Sequence, residues 1–164
     1  MSDRDLLGQS PPAAGRPGLP RGATDNDRTM AALAHASILL NYIPGLQAWA
    51  GLLVAAAIWL VHRDRSRYVT AQASQAFVFQ VLWTGLAIIG LPIVLSLFGL
   101  GIGLLKLLVG LCILPIALVL LLGLAVLLIG MPLYGLYAAY ETYQGRDFHY
   151  PWVGDFVRQR PIFG

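Results

Sequence analysis

Charge is what this sequence has least of. Only 12% of its 164 residues are Asp, Glu, Lys or Arg, while 57% are hydrophobic; an ordinary soluble domain carries about 25% charge. Small water-soluble domains bury the smallest share of their chain, so lipid is the expected solvent for most of this one. Cysteine is nearly absent too. Cys112 stands alone inside an apolar run, which excludes a disulfide framework and a thiolate metal cluster. No acidic residue lies between Val69 and Tyr140. HExxH, GxSxG, paired intramembrane carboxylates and a phosphate-binding glycine loop are all missing, and Gly99, Gly101 and Gly103 lack the Lys-Ser/Thr that a phosphate cradle requires. Hydrolytic or proton-coupled catalysis is therefore poorly provided for, and neither an enzyme activity nor a cofactor is expected. The net charge of +3 does not point to nucleic acid, because the eleven basic residues sit in small groups at the ends of apolar runs, as in membrane proteins.

Residues 1–24 hold four of the ten prolines and four of the eighteen glycines, a composition with too little apolar surface to offset ordering, and they read as a disordered tail. They contain no apolar run of signal-peptide length. Asp25, Asn26 and Asp27 suit a helix start. The uncharged stretch from Thr29 to Val61 would make a helix of about 50 Å, too long for a hydrocarbon core of about 30 Å. Pro44-Gly45 divides it, predicting a hairpin of two short spans at 27–43 and 46–62. Arg63-Asp64-Arg65-Ser66-Arg67 then forms a basic loop. The next uncharged stretch starts mixed, Tyr68 to Ala76, and becomes apolar from Phe77. This predicts an interfacial lead-in helix followed by a third span at 76–98, with a kink at Pro92. Gly99, Gly101 and Gly103 break helical propensity three times in five residues and predict the outer turn beside Lys106. A fourth span at 112–139, bent near Pro132, completes a transmembrane domain at 25–157, with a short tail at 158–164.

The fold expected is all-α, with four transmembrane helices. Ten of the eleven basic residues then share one side with both termini, and the positive-inside bias makes that side cytoplasmic. A rival fifth span cut from 99–140 would send Arg146, Arg158 and Arg160 outside, against that bias. The location expected is the bacterial inner membrane, with the bilayer, further copies of the chain or other membrane proteins as partners.

Polar groups inside these runs are the candidate functional positions, since each must find a partner or water. They are His35, with Ser37 and Asn41 nearby; Gln72, Gln75 and Gln80, which fall within an arc of roughly 140° on one helix face; and Tyr134 and Tyr137, one to two turns deeper than Tyr140 and Tyr143. For His35 and the tyrosines, packing competes with chemistry. For the amides, hydrogen bonding between helices worth about 0.6–2 kcal/mol per contact competes with the lining of a polar cavity. Tyr140, Tyr143, Trp59 and Trp152 are expected as interfacial anchors.

Three segments carry a resemblance: Asp27 to Ser37; Ile58-Trp59-Leu60 leading into Arg63 to Ser66 and Gln75 to Gln80; and Gly145 to Asp155. Together they resemble a bacterial family of small multi-pass membrane proteins that is similar to the twenty-kilodalton Tic subunit of the chloroplast inner-envelope import machinery, over residues 25 to 157. The chain departs from that pattern at Gln72, Ser74 and Val78, where the family usually has a His, a Lys or Arg, and an Asn. The resemblance implies four transmembrane helices, no known enzyme activity, and a role in a translocation or channel assembly. A stand-alone transporter of a small solute or ion is the alternative.

Overall fold

The computed structural model describes residues 23–46 and 49–159. The proline-rich tail expected at residues 1–24 lies almost wholly outside the described residues. Within them the chain is all-helical: α1 (Asp25–Ala36), α2 (Ala50–His62), α3 (Arg67–Gly103), α4 (Gly110–Tyr143) and α5 (Val153–Arg158), with 3₁₀ turns at Ser37–Tyr42 and Leu105–Leu107.

Local chemistry sets the helix ends. Thr24 and Asp27 form a reciprocal capping box at α1, satisfying donors that a helix start leaves unpaired. Ser66 caps α3 through Val69 N–H. At the end of α4, Gly145 takes φ +81°; its N–H bonds the Thr142 carbonyl at 2.9 Å and Arg146 N–H bonds the Glu141 carbonyl at 3.0 Å. That is a Schellman closure, which glycine adopts without Cβ strain.

Three expectations change on inspection of the backbone. The lead-in helix and the third span are one helix, Arg67–Gly103, which continues through Pro92 although proline supplies no N–H there. The glycines expected to make the outer turn lie inside α3. In apolar surroundings an unmade backbone hydrogen bond costs several kcal/mol, more than the roughly 1 kcal/mol propensity penalty of each glycine. The turn falls at Leu104 to Val109 instead, with Leu108 left-handed at φ +61°. Gly110 is obligatory there, since a Cβ would overlap the Gly101 carbonyl and the Leu105 backbone. Between this turn and Tyr143 a single helix, Gly110–Tyr143, runs through Pro115 and Pro132. In the hairpin, α1 passes into a 3₁₀ turn and α2 begins only at Ala50, shortening the two elements expected at 27–43 and 46–62.

Among the described residues, α3 and α4 are the two helices long and apolar enough to cross a membrane. At 1.5 Å per residue they measure about 55 and 51 Å. They pack against each other along their length, α1 lies on both near the Arg67 and Tyr143 ends, and α2 packs on α3. The core is concentrated at that end, around Ile38, Phe79, Trp83, Ala138, Phe148 and Tyr150. An alanine seam of Ala34, Ala55, Ala73 and Ala76 brings α1, α2 and α3 close. Towards the Leu104 turn, large apolar side chains such as Ile89, Ile93, Leu111, Ile116, Val119 and Val126 are exposed.

Beyond α4 the chain doubles back along α3. Pro151-Trp152-Val153 forms a three-residue turn in which Val153 N–H bonds the Pro151 carbonyl at 2.8 Å, with Trp152 at φ +66°, ψ −48°. This is the rarer hand of such turns, costing a non-glycine residue about 1–3 kcal/mol, and it leaves the indole 86% exposed.

Candidate functional site

The polar residues singled out from the sequence mostly converge on one buried network at the charged end. Its hub is His35 on α1, 1% exposed. Nε2 of His35 lies 3.1 Å from Gln72 Oε1, and Nδ1 lies 3.2 Å from the Tyr150 hydroxyl. The Gln72 amide fixes the direction of these bonds. Its Nε2 donates to Asp147 Oδ1 at 2.8 Å and to the Phe148 carbonyl at 3.1 Å, so Oε1 must be the atom facing the imidazole. An amide oxygen accepts only; hence His35 carries its proton on Nε2, and Nδ1 accepts from Tyr150. One neutral tautomer satisfies every partner.

The other amides bind separate elements. Gln75 Oε1 accepts from Tyr150 N–H at 3.2 Å, fastening the C-terminal segment to α3. Gln80 Nε2 donates to Ser37 Oγ at 3.0 Å and to the Ala34 carbonyl at 3.3 Å, fastening α1. Among the described residues, Gln75 Nε2 and Gln80 Oε1 have no hydrogen-bond partner. The three amides, expected either to hydrogen-bond between helices or to line a polar cavity, hold two parts of the chain to α3: Gln72 holds both α1 and the C-terminal segment, Gln75 the C-terminal segment and Gln80 the α1 region, and none is bonded to another.

Asn41 stands apart from this hub. Its Oδ1 accepts from Gly51 N–H at 2.8 Å and so supplies from outside the cap that Trp49, the residue preceding α2, does not provide. Ser37 Oγ donates to the Gly51 carbonyl at 2.9 Å. The approach is close enough that a Cβ at Gly51 would overlap the Ser37 carbonyl.

Tyr134 and Tyr137 stack with ring centroids 6.4 Å apart, and both meet Phe148 edge-on. Tyr134 also meets Tyr150 at 5.3 Å, while Tyr137, Tyr140 and Tyr143 are exposed. Tyr150 stacks on Phe79 at 4.3 Å, and its burial pushes the phenol well above the ordinary tyrosine range. Trp59, expected as an anchor, stacks on Phe77 at 6.0 Å.

Asp147, Phe148 and Tyr150 belong to this network but were not among the candidates. The signal available was the run Arg146-Asp147-Phe148-His149-Tyr150-Pro151-Trp152, dense in charge and aromatics just past an apolar helix. Nothing local showed that it folds back onto α3. The arrangement offers a hydrogen-bonded clasp joining α1, α3 and the C-terminal segment.

No curated protein and no solved structure matches the chain. A family model does, and it overturns the Tic resemblance: the matched family is not a Tic-like one, so the translocation and channel roles that this likeness implied lose their basis. The match extends from residue 26 to residue 157 and includes α1, the whole α3–α4 pair, the clasp and most of α5; on it, the chain belongs to the magnetosome magnetite crystal formation protein family (MamF/MmsF).

Proposed function

We propose that this chain is a non-enzymatic, multi-pass protein of a bacterial magnetosome membrane that supports magnetite crystal formation as a structural component rather than by handling mineral directly. In this reading α3 and α4 cross the bilayer, and the α1–α2 hairpin enters and leaves from the charged side. At about 20 Å, α2 is too short for a hydrocarbon core of about 30 Å. The basic loop at Arg63 to Arg67 and both termini face the cytoplasm, by the positive-inside bias. The partners are the bilayer and other membrane proteins, further copies included.

One observation carries the reading. From Val69 to Tyr140 the only charged residue is Lys106, at the turn joining α3 to α4. Iron is bound by several carboxylate, imidazole or thiolate ligands together; at the far side the described part of the chain offers only the single thiol of Cys112, and no group of three or more such side chains gathers among the described residues. The acidic side chains and the His35 clasp lie at the opposite end. A stand-alone transport path has no such support, because the glutamine-bearing face is occupied by Ser37, Asp147, Phe148 and Tyr150 and leads nowhere polar along α3.

The test is crystal size by electron microscopy in a magnetite-forming bacterium whose only copy of the protein carries Lys106→Ser or Gln72→Leu. Lys106→Ser is expected to leave crystals unchanged, and Gln72→Leu to reproduce the deletion phenotype. The opposite pattern, crystals altered by Lys106→Ser and unaffected by Gln72→Leu, would overturn the structural reading in favour of direct contact from the far side.

A further inference from the structure

The strained turn at Trp152 holds its indole between two grooves on the outer face of α3. One, of about 310 Å³, is lined by Phe79, Leu82, Trp83, Leu86, Met131 and Trp152 among others. The second, of about 360 Å³, runs between Val78, Leu82, Val153 and Phe156. Leu82, Trp152 and Val153 border both. The C-terminal segment climbs α3 to reach this position. The Phe148 carbonyl meets Gln72 and Tyr150 N–H meets Gln75, and Trp152 arrives level with Leu82, about 22 Å along the helix from Arg67.

We propose that these grooves are a phospholipid site: acyl chains lie along α3 on either side of the Trp152 indole, and the headgroup phosphate lies towards the basic end. Three features select this occupant over a protein partner. The grooves are almost purely apolar and open onto the exposed Leu82 and Leu86 of a helix apolar enough to cross a membrane, so acyl chains are the fluid that meets them. Positive charge is in excess at one end, where Arg63, Arg65 and Arg67 outnumber Asp64 at the start of α3, which matches a phosphate at one end of an apolar chain. The indole is held out at the cost of a left-handed backbone; tryptophan favours the boundary between headgroups and acyl chains. The proposal rests on the reading of α3 and α4 as membrane-spanning.

The full-length protein would be reconstituted in phosphatidylglycerol vesicles doped with a phosphatidylglycerol bearing a photoreactive diazirine on one acyl chain. After illumination, adducts would be mapped by peptide mass spectrometry. Leu82 and Val153 are expected to carry at least threefold more label than Val119 and Val126, which are exposed on α4 away from the groove. Trp152→Gly removes the indole and relieves the left-handed strain. It should cut labelling at Leu82 at least threefold without lowering the melting temperature. Uniform labelling of all exposed apolar residues, or undiminished labelling at Leu82 in Trp152→Gly, would overturn the lipid site while leaving the spanning reading intact. Absence of label at Val119 and Val126 as well would overturn the spanning reading itself.

Discussion

Replacing Gln72 by leucine is the most direct probe of the clasp. The side chain is fully buried and makes three hydrogen bonds, to His35, Asp147 and the Phe148 carbonyl. Leucine keeps the volume and removes all three. His35 Nε2–H and the Phe148 carbonyl then lose a buried partner, at about 1–3 kcal/mol each in general; cycles in membrane proteins give lower values, about 0.6 on average and up to 1.7. Taking about 1–1.7 kcal/mol for each group and returning about 0.8 for one extra buried carbon leaves a loss near 2 kcal/mol. For a chain of this length that corresponds to about 4–8 °C in melting temperature, read by tryptophan fluorescence in mild detergent. The partner variant His35→Phe keeps an aromatic ring against Phe148 and Tyr150. The double variant should therefore be less damaged than the sum of the singles by about 1 kcal/mol. A Gln72→Leu protein melting within about 1 °C of the parent, or strictly additive singles, would refute the clasp.

Gln75→Leu should cost less than about 1 kcal/mol, because it loses one hydrogen bond and also removes an amide nitrogen that has no partner among the described residues; a larger fall in chemical unfolding would show that Gln75 holds more than Tyr150 N–H. Gly51→Ala should destabilise by about 1–3 kcal/mol through overlap with the Ser37 carbonyl, whereas Gly123→Ala, with open space around it, should be neutral or gain up to about 1 kcal/mol in helix propensity, both read from thermal melts. Tyr150 is held neutral by burial, so its folded pKa lies above the unfolded value of about 10; its contribution is complete below about pH 10 and falls away as pH rises further, and Tyr150→Phe should flatten that alkaline limb of the stability profile. For orientation, single cysteines at Ser66, Gly103 and Gln159 on a Cys112→Ala background should react with an impermeant thiol reagent in sealed, purified magnetosomes, whose outer face is the cytoplasmic one, at Ser66 and Gln159 but not at Gly103; labelling of Gly103 instead would invert the topology.

Much of the helical layout was legible in the sequence because it depends on local terms. Uncharged runs of over 30 residues demand backbone bonds made within the segment, so apolar helices at 76–98 and 112–139 were legible in composition, though not the full extent of α3; a helix start near residue 25 and the break at Pro44-Gly45 are local too, although Thr24 rather than Asp or Asn is the cap. That His35 and the three glutamines need protein or water beside them also follows, since a polar group in an apolar run must be matched. Their partners are another matter. His35 and Gln72 are 37 residues apart, and Gln72 and Asp147 are 75 apart. No periodicity relates them; only the return of the C-terminal segment along α3 brings them together. The outer turn escaped for the same reason: the glycines at 99, 101 and 103 look like breakers one residue at a time. The turn was fixed instead where Gly110 lets the backbone of α4 come against Gly101, a contact that exists only once the two helices have met.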